Sequence, residues 1–181
     1  MNSLAHSVSK LPIPALVEDE HFRFYTELDF ERAELNAIRE IWREKSKGKG
    51  HATRADFDAR TLKPYLRNML ILDVVEQENG TRRYRYRYMG SSLVEVFGEQ
   101  TRRFVDEFIP SDKMARWTAG HDLSVLSGRA LRMVVNYTSP QINYLGSEGI
   151  FFPLVDETER VVHVMGFNYM RSRTAETPKT A

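Results

Sequence analysis

The chain contains no cysteine. That absence excludes a disulfide framework, a thiol nucleophile, cysteine-ligated zinc and a flavin adduct formed through a cysteine sulfur. There is no surplus of charge either: 26 Lys and Arg stand against 25 Asp and Glu, so no overall field grips nucleic acid or an anionic membrane. No apolar run approaches the roughly 20 residues of a membrane span, and the N-terminus lacks a basic stretch followed by an apolar core. No membrane insertion and a cytoplasmic location are therefore expected. Nucleophile-elbow, phosphate-loop and paired-histidine metal signatures are also missing, which argues against an enzyme without removing the class.

What remains is ample for one domain: 181 residues, 41% hydrophobic and 28% charged, enough to bury one sizeable core. The most telling stretch is Asn79-Gly80 followed by alternating Arg83, Tyr84, Arg85, Tyr86, Arg87 and Tyr88, then Met89-Gly90-Ser91. Asn-Gly is the strongest two-residue hairpin signal, so residues 70–78 and 81–89 read as paired strands. A two-residue loop sets Ile71, Asp73 and Val75 opposite Tyr88, Tyr86 and Tyr84, with an Asp73–Tyr86 hydrogen bond and Glu76 facing Arg83. Ser91 or Ser92 caps a short helix over 93–97 that Gly98 ends. A brief turn at 104–108 follows, then a helix capped by Ser111-Asp112 running through 126, with Gly128 past its end. Strands over 130–138, 144–155 and 161–170 complete the pattern. Both alternating sets of the last strand are apolar, so the sheet is covered on two faces. Pro153 cannot donate a ladder bond and marks a bulge or an edge-facing position.

Upstream, residues 1–28 carry Pro12, Pro14 and Glu18-Asp19-Glu20 and read as a flexible arm. Residues 29–45, with Asp29 as N-cap, form an amphipathic helix whose stripe is Leu35, Ile38, Ile41 and Trp42. Residues 46–52 form a Lys/Gly connector, so this helix packs either on its own domain or on another copy. The body runs over 53–170, and 171–181 is a polar tail. Within the body, Thr61 caps a short helix with Pro64 in its first turn, and Asp56 and Asp58 act as local acceptors for backbone groups.

The order strand, strand, short helices, longer helix, three antiparallel strands resembles the PAS domain family. More narrowly the chain is similar to a bacterial subfamily of mostly single-domain PAS proteins. Trp42, Arg54-Ala55-Asp56-Phe57-Asp58, Tyr86-Arg87-Tyr88-Met89-Gly90, Leu93, Phe97-Gly98 and Phe152-Pro153-Leu154 carry that likeness, which spans residues 35–169. It implies an α+β fold: a five-stranded antiparallel sheet with helices inserted between strands 2 and 3, the first strand central beside the last, and the amphipathic helix in front. It also implies signal perception, through a small molecule held between sheet and helices or through pairing with another module. No catalytic domain follows residue 169, so output in trans is expected, from a homodimer acting on another signalling protein, with Leu35, Ile38, Ile41 and Trp42 at the interface.

Candidate pocket residues are Tyr86, Tyr88, Trp117, His121, Met133, Phe152 and Met165. In the competing scaffold reading, Met133, Phe152, Met165 and Trp117 pack together and fill the core. Some PAS proteins bind haem through a histidine on the corresponding helix, which makes His121 the one candidate axial ligand; a lone histidine beside an apolar stripe is ordinarily structural. No other metal site is expected, and the cofactor is left open. The arginines at 83, 85 and 87 do not make a nucleic-acid stripe, because acidic neighbours compensate them. His163 reads as structural. The enzyme alternative is a cone-shaped α+β hydrolase or isomerase using His121 with Asp73.

Overall fold

A computed structural model describes residues 22–47, 49–136 and 144–172. In chain order the elements are β1 (Phe22–Tyr25), α1 (Ala33–Ser46), β2 (Ala52–Thr53), α2 (Ala59–Leu62), β3 (Met69–Glu76), β4 (Arg82–Met89), α3 (Ser91–Phe97), α4 (Ser111–Ser127), β5 (Leu131–Asn136), β6 (Tyr144–Val155) and β7 (Val161–Ser172). The sheet runs β1-β5-β6-β7-β3-β4, with β2 parallel to the end of β6. The five strands from β3 onward are antiparallel, β3 lies centrally beside β7, and α3 and α4 are inserted between β4 and β5. This is the PAS-like α+β arrangement; β1 and β2 enlarge the expected five strands to seven.

Alternation in the central strands builds two cores on one sheet. Phe152, Met165 and Phe167 face α1 with Leu35, Ile38 and Trp42. Phe151, Val164, Leu70 and Leu72 face α3 and α4 with Leu93 and Leu123. Pro153 sits where the pairing of β6 with β5 has ended at Phe151 and that with β2 begins at Leu154, so its missing N–H interrupts neither ladder.

Several expectations change. Residues 22–25 of the supposed arm pair with β5; residues 1–21 and 173–181 lie outside the described residues. Helix α1 starts at Ala33, after Arg32 rather than Asp29. Its stripe is not an exposed interface: Leu35, Ile38 and Trp42 are 0%, 1% and 7% exposed, Ile41 is partly buried, and Trp42 stacks on Phe152 at 4.5 Å. The helix is held because the segment after it does not stay a connector: Ala52 is fully buried and zips onto Leu154. Asp58, not Thr61, caps α2, accepting from the Thr61 amide at 2.8 Å, and Pro64 falls in a 3-10 turn, Lys63–Asn68. Asp56 accepts from the Thr53 amide at 2.7 Å, so both aspartates do serve the backbone.

The hairpin differs in register. The Gln77 amide donates to Thr81 O at 2.8 Å, leaving three residues, 78–80, in the loop, with Gly80 at φ +79°. A bulge then follows: Ile71 pairs with Tyr88 but Leu72 pairs with Tyr86. One inserted residue, Arg87, sends Tyr88 to the α1 side while Tyr84 and Tyr86 stay on the α4 side. Asp73 accordingly faces Arg85 rather than Tyr86, and Glu76 faces Arg82 rather than Arg83. Gly90 rather than a serine is the N-cap of α3, Pro110 occupies that position on α4, and Gly128 ends α4 in the left-handed conformation. Among the described residues no helix is long and apolar enough to cross a membrane.

Candidate functional site

Between the sheet and α3 and α4 lies a cavity of about 420 Å³. Its position follows from helical and strand spacing together. On α4, residues 113, 117 and 121 recur every four residues and so share one stripe; on β5, Met133 and Val135 share one face. The floor is Leu70, Tyr86, Met133 and Phe151 from the sheet, and the roof is Leu93, Phe97 and Trp117 from the helices. Phe22 of β1 contributes one wall, and β1 is seated by Phe24, whose ring occupies the space a Cβ at Gly120 would need. Lys113, Arg116 and Asn136 are exposed at the mouth, where Asn136 also accepts from Arg171.

His121 is 2% exposed and its Nδ1 lies 2.9 Å from the Trp117 carbonyl. A carbonyl only accepts, so Nδ1 carries the proton and Nε2 presents a bare lone pair. Trp117 stacks on the imidazole at 3.7 Å and 16°, while Tyr84 and Phe151 approach it at 5.5 and 5.2 Å. Burial in this aromatic collar lowers the imidazole pKa to about 4, against the opposing effect of the Trp117 carbonyl. Among the described residues neither His121 Nε2 nor Asn168 Oδ1 has a hydrogen-bond partner, an omission that costs about 1–3 kcal/mol for each buried group. Next to them the Tyr84 hydroxyl donates to Asp122 Oδ1 at 2.5 Å, and burial followed by this carboxylate raises the phenol pKa.

Of the expected pocket residues, Tyr86, Trp117, His121 and Met133 do line this cavity. Tyr88, Phe152 and Met165 do not. The bulge turns Tyr88 away, and its hydroxyl donates to Leu66 O at 3.2 Å; strand parity puts Phe152 and Met165 in the α1 core, where Phe152 also stacks on Phe57 at 5.6 Å. Met133 and Trp117 therefore cannot pack with Phe152 and Met165 to fill one core. Among the lining residues that sequence reasoning missed are Phe22, Leu70, Lys113, Arg116, Phe151 and Asn168. Lys113 is recoverable as one turn before Trp117, and Asn168 from its parity with Val164.

His121 and Asp73 lie on opposite faces of the sheet, so the proton-transfer pair of the enzyme alternative is not formed. Asp73 instead holds Arg85 at 3.0 Å, Arg87 at 3.3 Å and His163 at 3.1 Å. Burial lowers the His163 pKa although Asp73 opposes the shift. Among the described residues there is no metal-holding cluster of His, Asp and Glu. Haem does not fit His121: the collar seals Nε2, so no direction is open for an axial bond to iron.

No protein-family model matches the chain, and no curated protein matches it. Three solved structures are similar to it. An RNA-binding light-oxygen-voltage receptor is 10% identical over 85% of this chain and 39% of that one, with a TM-score of 0.47. A light-oxygen-voltage domain studied with a flavin analogue is 15% identical over 64% and 85%, at 0.43. The light state of the blue-light photoreceptor Aureochrome1 LOV is 12% identical over 64% and 90%, at 0.38. The chain thus spans well under half of the first. The PAS-like fold itself rests on the strand order, with β3 beside β7.

Proposed function

We propose that the chain is a PAS-type sensory module that binds a small molecule between its sheet and α3 and α4. Its occupancy is reported by association with a second copy or with another signalling protein. The cavity carries this reading. Close-packed interiors leave few voids larger than a water molecule, yet about 420 Å³ remains here, within the roughly 300–1,000 Å³ of small-molecule sites. The residues that resemble the bacterial single-domain PAS subfamily support the same assignment. Because the stripe of α1 is buried, any self-association uses another surface, and light scattering of wild type and a surface-charge series locates it.

Native mass spectrometry of protein taken from its own host tests the ligand. A reproducible added mass, lost on denaturation and absent from Met133→Trp, is expected, because an indole at 133 fills the cavity floor. A bare mass for the wild type overturns the reading.

A further inference from the structure

The polar groups of the cavity are sorted by sign and by depth. At the mouth stand Lys113 and Arg116, and among the described lining residues there is no carboxylate to offset them. Deeper in, His121 and Asn168 also line the cavity, but their unpaired acceptors, His121 Nε2 and Asn168 Oδ1, are buried. An anion gains nothing from those two atoms at the deep end; at the mouth it meets two cations. A cationic ligand meets no counter-charge among the described lining residues. Between the two ends the walls are aromatic and aliphatic, with Trp117 lying along α4 between Lys113 and His121.

From this polarity we propose that the site takes an apolar monocarboxylate, its carboxylate at Lys113 and Arg116 and its hydrocarbon or aryl body running past Trp117 toward His121. The inference rests on the sensory reading above and names the chemistry of its ligand. Eight residues separate Lys113 from His121, about 12 Å along a helix, the reach of a medium-length chain or a two-ring aryl acid. Lys113 is the main partner, as an ammonium on an exposed position. Arg116, which has a contact of its own, adds charge at the same mouth. The apolar body supplies affinity through the area it removes from water, and the carboxylate supplies orientation and selectivity.

Matched ligands of one length test this: decanoate, decanol and decylamine, with 2-naphthylacetate and 2-naphthaleneethanol as an aryl pair. Each is titrated by calorimetry below its aggregation concentration into the full chain. Each acid is expected to bind at least tenfold more tightly than its alcohol, with the amine weakest. Lys113→Glu/Arg116→Glu removes the preference for acids while leaving the alcohol affinities within about twofold; Lys113→Gln alone loses part of it. Met133→Trp abolishes binding of every probe. Circular dichroism and the urea midpoint establish that each variant is folded. Acid and alcohol binding equally, or acid binding that survives Met133→Trp, overturns the proposal. No probe binding while the host-purified protein carries another mass also overturns the ligand class but leaves the sensory reading standing; no probe and no mass end both.

Discussion

At Gly120 the edge of Phe24 lies against α4 so closely that a Cβ would overlap the ring. On helix propensity alone Gly120→Ala gains about 1 kcal/mol. Here it must push Phe24 and β1 away, at a cost of roughly 1–3 kcal/mol for overpacking. A lowered urea midpoint is the expected outcome, and Gly120→Ala/Phe24→Ala recovers part of the loss, since the two positions couple. A raised midpoint would show that β1 is not seated there. His121 supports a second prediction. Folded, its pKa is about 4; unfolded it is about 6.5. Above the unfolded value both states are neutral and the difference contributes nothing. As pH falls from about 6.5 to about 4, the unfolded chain takes up a proton that the native site refuses, and stability drops by about 3 kcal/mol in all. His121→Phe removes that component. Because His163 acts with the same sign, the reading is the difference between wild-type and variant midpoints at pH 7.5, 6 and 5.

Helix α1 is an element of the core. Trp42 stacks on Phe152 at 22° between the ring planes, and Trp42→Ala opens that face at a cost of roughly 3–5 kcal/mol. A detachable helix would leave the urea midpoint unchanged. This outcome marks where the sequence could be read and where it could not. The bounds of β6 and the end of α4 at Gly128 followed from turn residues and periodicity, and so did the succession of elements; that β3 lies beside β7 was implied by the resemblance of that succession to PAS domains. The register of the β3–β4 hairpin did not follow, because Asn79-Gly80 suits a two-residue loop and also a three-residue loop with Gly80 left-handed. The choice of the longer loop, together with the bulge at Arg87, decided which tyrosine reaches the cavity. The stripe on α1 was plain from its spacing, but a stripe does not name its partner; the burial of Ala52 against Leu154 does. Strand β1 escaped notice because four residues, Phe-Arg-Phe-Tyr, follow an acidic stretch rich in polar side chains, too short a run for alternation to stand out.

One sheet separates the two cores, so an occupant of the α4-side cavity touches the whole molecule through particular strands. Phe151 is cavity wall, while Phe152, its neighbour in β6, lies under Trp42. The two tryptophans therefore report on different faces: Trp117 on the cavity, Trp42 on the opposite core. In Trp42→Phe, decanoate is expected to shift the emission of Trp117; in Trp117→Phe, the emission of Trp42 stays nearly constant, because a close-packed core transmits little displacement to a buried stack. Strand β1 is the element with most to gain from a filled cavity. It has four residues, pairs among the described residues with β5 alone, and offers Phe22 to the cavity, so its local opening is among the least costly in the described structure. A ligand body packed against Phe22 stabilises the closed form by mass action and lowers the open population. Hydrogen exchange at residues 22–25 should slow several-fold on loading with decanoate, while α1 amides exchange at unchanged rates. Slowing at α1 and not at β1 would place the response on the other face of the sheet and remove β1 as the strand that senses occupancy.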